Sequence, residues 1–259
     1  MSHFAIPSLS LRAIAVWRRN FLVWRKLAIP SMLGNLADPM IYMFGLGYGL
    51  GGMLPAVNGL PYIAFLAAGT LCASTMNAAT FEALYSAFSR MHVQKTWEAL
   101  LNAPLSLDDV VAGEWLWAAS KSMLSGTAIL VVITALGFVH SPLALWVLPI
   151  VFLTGLAFAA MGLIVNALAP SYDFFMYYFT LVITPMMLLS GVFFPLDQLP
   201  AAVRGLAHIL PLSHAVALVR PLVNGEAPAN VLLHLGVLAG VAVGAFWIAL
   251  GLTRRRLLR

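Results

Sequence analysis

Long apolar blocks dominate the chain and predict an all-α polytopic membrane protein. A bilayer core needs about 20 apolar helical residues, and six blocks are long enough to supply a span. The first block contains one charged residue, Asp38. The second and third helices are predicted to extend past the bilayer into charged sequence on the same side. The predicted spans are 30–53, 60–89, 107–139, 143–169, 174–196 and 230–253.

The segment before the first span has two different faces. Apolar residues recur at spacings of three and four, and cations recur every seven residues on another face. This pattern predicts an amphipathic helix over 8–28 that lies in the membrane interface. The alternative is a simple basic leader to the first span, because Val16 and Leu22 blur the two faces. The apolar face comprises Ile14, Trp17, Phe21, Trp24 and Ala28, and the cationic face comprises Arg12, Arg19 and Lys26.

The connection 197–229 is too long for a turn and too polar for a span. Its prolines alternate with short helical stretches, which suit re-entrant helices better than spans. We therefore predict two short re-entrant helices between the fifth and sixth spans, ended by Pro211 and Pro221. Gly191 would permit a tight break after the fifth span. These positions form a predicted exit gate: Gly191, Pro195, Pro200, Pro211 and Pro221.

Composition and charge fix the class and the orientation. The chain is 62% hydrophobic and 9% charged, whereas a typical soluble domain is about 25% charged. Of its 14 Lys and Arg residues, only Arg204 and Arg220 fall on one side of the predicted spans. The positive-inside rule therefore places both termini and the connection between the second and third spans in the cytoplasm.

That cytoplasmic connection contains a candidate docking element. Residues 94–102 can form a short helix with apolar residues on one side and charged residues nearby. An exposed apolar knob with charged flanks is typical of a docking site. The alternative is an ordinary loop on the membrane surface. Ser106 and Asp109 form a capping pattern for the following helix. The candidate docking residues are Lys95, Trp97, Glu98, Leu100 and Leu101.

The sequence indicates no catalytic, cofactor-binding or metal-ligating residues. No lysine follows glycine as in a phosphate-binding loop, and the histidines lack the paired spacing of a helical zinc site. ATP-driven work would therefore need another chain, and nothing indicates a nucleic-acid partner. A secondary transporter or channel would need ionisable groups inside the spans, and these are few: Asp38, Glu82 and His234.

Two segments resemble ABC-2 type transporter permeases. Residues 189–222, LSGVFFPLDQLPAAVRGLAHILPLSHAVALVRPL, are similar to the family's signature region after the fifth span. Residues 81–126, FEALYSAFSRMHVQKTWEALLNAPLSLDDVVAGEWLWAASKSMLSG, resemble the branch of nodulation-factor exporters, which move lipo-chitooligosaccharides. The likeness covers nearly the whole chain, including the interfacial helix, six spans and re-entrant pair.

The resemblance implies a bacterial inner-membrane exporter built from a permease homodimer and two copies of a separate ATPase subunit, which binds ATP and Mg. By the same resemblance, helix 94–102 is the coupling helix that seats in the ATPase, and the interfacial helix adds a second contact. The expected cargo is amphipathic, either lipid-linked or oligosaccharide-bearing. A drug or multidrug efflux permease of the same family is the alternative.

Aromatic clusters near the first and fifth spans are candidates for the cargo path. Such rings can stack on sugar faces or contact acyl chains. They can equally form an interfacial aromatic belt against membrane lipid, as in most membrane proteins. The candidate path residues are Tyr42, Tyr48, Tyr177 and Tyr178.

Overall fold

The computed structural model describes residues 4–53, 56–57 and 59–258, and this part of the chain is helical without a named strand. The all-α class predicted from the sequence is thereby confirmed. In chain order the helices are α1 (Ala13–Arg25), α2 (Ala28–Gly49), α3 (Tyr62–Val93), α4 (Thr96–Leu101), α5 (Leu107–Ala135), α6 (Pro142–Leu168), α7 (Phe174–Leu189), α8 (Ala201–Ala207), α9 (Pro211–Asn224) and α10 (Val231–Leu257).

Helix α3 is the centre of the bundle. Nearly every side chain over Tyr62–Phe81 is buried, and α2, α5, α6 and α9 pack around it. The close approach of neighbouring helices in the bundle depends on small residues, as is usual between membrane helices. A Cβ on Gly155 would lie 2.1 Å from the Ser122 hydroxyl, and one on Gly162 would lie 2.8 Å from Ala83 Cβ. Helix α6 is thereby held directly against α5 and α3.

Within the described part of the chain, four helices are long and apolar enough to cross a membrane: α3, α5, α6 and α10. The helix pair α8 and α9 would give a fifth if it were one broken span, although it is bent by 84°. Helix α2 is long enough, but its Gly, Ser, Asn, Asp and Pro residues dilute its apolar character. Helix α7 ends at Leu189, before the predicted end of the fifth span, and is shorter than a bilayer crossing requires. The count of six spans stays a prediction.

Helix α1 lies within the predicted 8–28, and its packing face overlaps the predicted one: Trp17, Phe21 and Trp24 contact Ser120 and Trp117 of α5. Ala13, Val16 and Asn20 are buried, and α1 packs on α5. Ile14, assigned to the apolar face, is 52% exposed. The reason is Gly113 of α5, which lets Val16 approach so closely that a Cβ on the glycine would lie 2.5 Å from Val16 Cβ. Placement of α1 in a membrane interface stays a prediction.

The two prolines expected to end the re-entrant helices do not do so, and that prediction is wrong. Pro211 is the first residue of α9, where its missing N–H costs no helical hydrogen bond. Pro221 lies inside α9, and the helix ends only at Gly225, whose φ of 86° gives the left-handed cap. Pro195 and Pro200 do immediately precede helical turns, a short one over Leu196–Gln198 and α8.

Candidate functional site

A buried ion network occupies one end of the bundle, which we call the charged end: the last turns of α3, the first turns of α5, and α1 and α4 beside them. Arg90 lies between two carboxylates. Its Nη2 is 2.8 Å from Glu82 Oε1 and 2.5 Å from Glu114 Oε2, and its Nε donates to Glu114 Oε1 at 2.9 Å. The carboxylates are almost fully buried, with side chains 3% and 1% exposed.

Local helix geometry brings Glu82 and Arg90 to the same face of α3. In a regular α-helix, side chains eight residues apart point about 80° away from each other. Two π-helical turns, Glu82–Ser86 and Ser89–Val93, interrupt α3 here. These wider turns rotate less per residue and reduce the offset, and π turns of this kind often mark functional sites.

Both carboxylate oxygens of Glu82 have additional partners. Glu82 Oε1 accepts a hydrogen bond from Trp117 Nε1 at 2.8 Å, and its Oε2 accepts one from Lys121 Nζ at 2.7 Å. Two cations therefore balance two carboxylates, Arg90 and Lys121 against Glu82 and Glu114. Breaking such a set is costly because each group left alone would be a buried, uncompensated charge.

The exposed-knob interpretation of the docking helix is wrong for Trp97. This side chain is 2% exposed, and its Nε1 donates to Glu114 Oε1 at 3.1 Å. A tryptophan next to a bundle edge loses apolar area from water by turning inward, and here the indole N–H also finds an acceptor. Trp97 thus joins α4 to the ion network.

The outer face of α4 consists of the remaining candidates. Leu101 is 36% exposed and Leu100 is half-buried. Lys95 Nζ and Glu98 Oε1 form an exposed ion pair at 2.8 Å. Lys95 itself has a φ of 55°, a left-handed conformation that separates α4 from the end of α3.

The predicted cap of α5 exists and has an additional role. Ser106 and Asp109 form a capping box, and Asp109 Oδ1 also accepts from the Ser10 amide and hydroxyl at 2.9 Å. The adjacent Asp108 accepts from Ser8 and pairs with Arg254 at the end of α10. The segment before α1 is therefore tied to both α5 and α10.

A small mixed cavity of about 90 Å³ lies between α2, α3 and α7. It combines carboxylate, amide and hydroxyl groups with aromatic rings, so its lining offers both hydrogen-bonding groups and ring faces. Tyr42 is part of it, 44% exposed and 5.7 Å from the Phe193 ring. The polar and aromatic lining residues are Asn35, Asp38, Tyr42, Thr70, Ser74, Asn77, Phe81 and Phe193.

The other three tyrosines proposed for the path do not line this cavity. Tyr48 and Tyr177 are 71% and 65% exposed on the bundle surface, and Tyr178 is buried. Of the four, Tyr42 alone combines the predicted aromatic character with a polar cavity.

The chain break after α7 is fixed at several points. Gly191 has a φ of 76°, and its carbonyl accepts from Arg220 Nη2 of α9 at 2.6 Å. The Arg220 guanidinium stacks 3.7 Å from the centre of the Phe65 ring, and Tyr62 donates to the Phe193 carbonyl at 2.9 Å. The predicted gate glycine is thus the point where α7, α9 and α3 meet.

Sequence reasoning missed the ion network as a unit. The available signal was charge placement: Glu82, Glu114 and Lys121 fall within helices predicted to enter the membrane, where ionisable groups are rare and usually paired. The pairing itself depends on which helices are neighbours. Glu82 and Lys121 are separated by 39 positions.

Comparison with known proteins identifies the family. A family model described as ABC-2 type transporter matches residues 12–223. The chain belongs to the ABC-2 type transporter family. It is 54% identical to Nodulation protein J of Rhizobium leguminosarum bv. viciae, over 98% of each chain. It is 51% identical to Nodulation protein J of Rhizobium meliloti (strain 1021), over 98% of this chain and 97% of that one.

A more distant relative is Inner membrane transport permease YadH of Escherichia coli (strain K12), 25% identical over 93% of this chain and 94% of its own. The resemblance drawn from residues 81–126 and 189–222 is therefore confirmed. As a member of this family, the chain is a membrane subunit of a transporter.

The ion network predicts an unequal response to two carboxylate substitutions. Glu82→Gln leaves Arg90 and Lys121 short of one buried negative charge, so we expect a loss of roughly 3–5 kcal/mol in unfolding free energy. Glu98→Gln, the control, removes an exposed pair that contributes about 0–1 kcal/mol. Thermal unfolding of the purified variants in detergent measures both. Equal midpoints would show that the network does not stabilise the bundle.

Proposed function

We propose that this chain is the permease subunit of an ATP-binding-cassette exporter that moves an amphipathic, oligosaccharide-bearing lipid out across the bacterial inner membrane. Two copies of the permease would assemble with two copies of a separate ATPase, which binds ATP and Mg. The family supports a transport subunit. The similarity to the inner membrane transport permease YadH supports the location.

One observation carries the coupling mechanism: Trp97 joins a surface helix to buried charges of the bundle. The ATPase would contact the outer face of α4, through Leu101 and the exposed pair of Lys95 and Glu98. Displacement of α4 would move Trp97, and Trp97 shares Glu114 with Arg90. Helix α1 would give the ATPase a second contact, and it is itself joined to α4, since Arg19 Nη2 lies 3.4 Å from Thr96 Oγ1.

This arrangement links two sites through a physical element. A ligand shifts a conformational equilibrium only by its different affinity for the two states. The two nucleotide states of the ATPase must therefore hold α4 differently. Because Glu114 belongs to α5 and Arg90 to α3, any shift of α4 that breaks or moves the Trp97 hydrogen bond acts on both helices.

The mixed cavity supports the choice of cargo. Asp38, Asn35 and Asn77 offer hydrogen bonds to sugar hydroxyl and acetamide groups, and Tyr42 and Phe193 offer ring faces. An acyl chain needs no polar partner and can remain in contact with lipid. The resemblance to lipo-chitooligosaccharide exporters points to the same substrate class. The exit gate would be the break at Gly191 with α8 and α9, on the side opposite the charged end.

The coupling proposal predicts separate effects for the two faces of α4. Leu101→Asp places a charge in the ATPase contact and should weaken association about thirtyfold, equivalent to ~2 kcal/mol at an interface anchor. Trp97→Phe keeps an aromatic ring but removes the N–H that binds Glu114. It should preserve association and reduce permease-stimulated ATP hydrolysis. Co-purification with the ATPase and hydrolysis in reconstituted membranes measure the two effects.

The matched control for these variants is Leu206→Asp, which changes an exposed leucine of α8, a helix assigned to the proposed exit rather than to the ATPase contact. It should leave association unchanged. If Leu101→Asp behaved like this control, α4 would be an ordinary surface loop and the coupling proposal would fail.

The cargo proposal predicts that Asp38→Asn lowers export of a lipo-chitooligosaccharide while basal ATP hydrolysis stays intact, because a carboxylate acceptor for sugar hydroxyls is lost. Uptake of labelled cargo into inverted membrane vesicles measures this. Tyr48→Phe, on an exposed ring outside the cavity, is the control. If Asp38→Asn lowered the transport of an apolar dye without sugar by the same factor, the result would favour a multidrug efflux permease instead.

The gate proposal predicts that Gly191→Val reduces export while ATPase association is retained. A β-branched residue is strained at φ 76°, and a Cβ there would lie 3.2 Å from the Leu196 side chain. Gly240→Val, in α10 outside the proposed gate and with nothing near the added Cβ, is the control. Loss of membrane insertion in Gly191→Val would assign Gly191 a purely structural role.

A further inference from the structure

A second, larger cavity opens at the charged end, between α1, the π-helical part of α3 and α5. Its volume is about 430 Å³. Tryptophan and tyrosine rings line it together with cations, amides and hydroxyls. The aromatic, charged and polar lining residues are Arg19, Asn20, Trp24, Glu82, Tyr85, Ser86, Ser89, Arg90, Gln94, Trp117, Lys121 and Tyr172.

The charges around this cavity do not cancel. Arg90 and Lys121 are balanced by Glu82 and Glu114. Arg19 adds a further positive charge. Among the described residues its guanidinium donates hydrogen bonds to two neutral groups, Asn20 Oδ1 at 2.9 Å and Thr96 Oγ1 at 3.4 Å. Burial, followed by the nearby Arg90 charge, lowers the pKa of Arg19, and the Glu114 charge offsets this only in part. An anion next to Arg19 would relieve both effects.

Asn20 supplies an independent sign of a missing ligand. The residue is 2% exposed and lines the cavity, yet its Nδ2 has no hydrogen-bond partner among the described residues. A buried amide donor without an acceptor costs about 1–3 kcal/mol. Its Oδ1 is already used by Arg19, so Arg19 and Asn20 together present N–H groups that need an acceptor.

The outer face of α1 continues this chemistry toward the surface. A third cavity, of about 410 Å³, is lined by Ala15, Arg18, Arg19, Leu22, Val23 and Lys26, and shares Arg19 and Val23 with the 430 Å³ cavity. Leu22, Val23 and Leu27 are 42%, 54% and 64% exposed. No carboxylate among the described residues pairs with Arg18 or Lys26. Cations without acidic partners beside exposed aliphatic residues match an anionic lipid at an interface.

We propose that these joined cavities bind the headgroup of an acidic phospholipid such as phosphatidylglycerol. Arg19 holds the phosphate, with Arg18 and Lys26 beside it, and the headgroup hydroxyls enter the inner cavity toward Asn20. The acyl chains run along Leu22, Val23 and Leu27. A guanidinium matches phosphate geometry better than an ammonium does, and acidic phospholipids are enriched on the cytoplasmic face, where the charged end is predicted to lie.

The bound lipid would hold α1 against α3 and α5 next to the ion network. This proposal does not depend on the identity of the cargo or on the coupling mechanism, because the lipid is a resident ligand of the permease itself. It requires only that the charged end lie at a membrane surface.

Native mass spectrometry of the purified permease, exchanged into detergent with either phosphatidylglycerol or phosphatidylcholine, tests the site. We expect selective retention of phosphatidylglycerol by the wild type. Arg19→Gln should lower its apparent affinity about tenfold or more, the scale of one lost charge-assisted hydrogen bond. The double variant Arg18→Gln, Lys26→Gln changes only exposed residues and should fold. It should also lower the affinity for phosphatidylglycerol, so it tests the site even if Arg19→Gln fails to fold.

Arg255→Gln is the matched control, since Arg255 is an exposed cation of α10 outside both cavities. Equal retention of the two lipids, or an equal loss in Arg255→Gln, would overturn the proposal. Displacement of phosphatidylglycerol by inorganic phosphate alone would make this a simple anion site. Displacement by N-acetylglucosamine oligomers would make it a cargo site. Either result would also overturn it.

Discussion

The charged end of the bundle depends on the placement of Arg90 between Glu82 and Glu114. Each of these groups alone would be a buried, unpaired charge with a large desolvation penalty, whereas the charges compensate one another when every member is present. Interdigitated packing of Ala, Gly, Leu and Val residues already favours one register between neighbouring helices. Ion pairs with defined donors and acceptors add a directional constraint. The network therefore contributes to the register between α3 and α5.

The same network explains why α4 can be both a surface element and part of the core. It is a single short helix of Thr96–Leu101, and so short a helix is unstable alone because nucleation is costly. It is held by Trp97, whose ring is buried and whose N–H binds a carboxylate already engaged by Arg90. The stability of α4 and its link to the spans thus have one origin, and α4 cannot shift without disturbing that bond.

The sequence predicted those features that depend on local pattern or on composition. Membrane class follows from apolar blocks, and the start of α5 follows from the spacing of Ser106 and Asp109, because a capping box involves only neighbours in the chain. The orientation of Trp97 could not be predicted, since it depends on Glu114, a residue of the following helix. For the same reason the grouping of Glu82 with Lys121 was missed: it needs α3 and α5 to be neighbours in a particular register. Pro221 shows the limit of a local rule, because Gly225, four residues later, determines where α9 ends.

A buried arginine has different partners at the two ends of the bundle, and this difference bears on function. At the charged end, Arg90 has carboxylate partners, so the contact is strong and directional. At the opposite end, Arg220 is held by the Phe65 ring face and the Gly191 carbonyl, which are neutral and weaker partners. Its Nε has no partner among the described residues. A segment retained by neutral contacts rearranges at lower cost than one retained by paired charges. The proposed export function would use this distribution, because strong contacts would lie at the end proposed to bind the ATPase and weaker ones at the proposed exit.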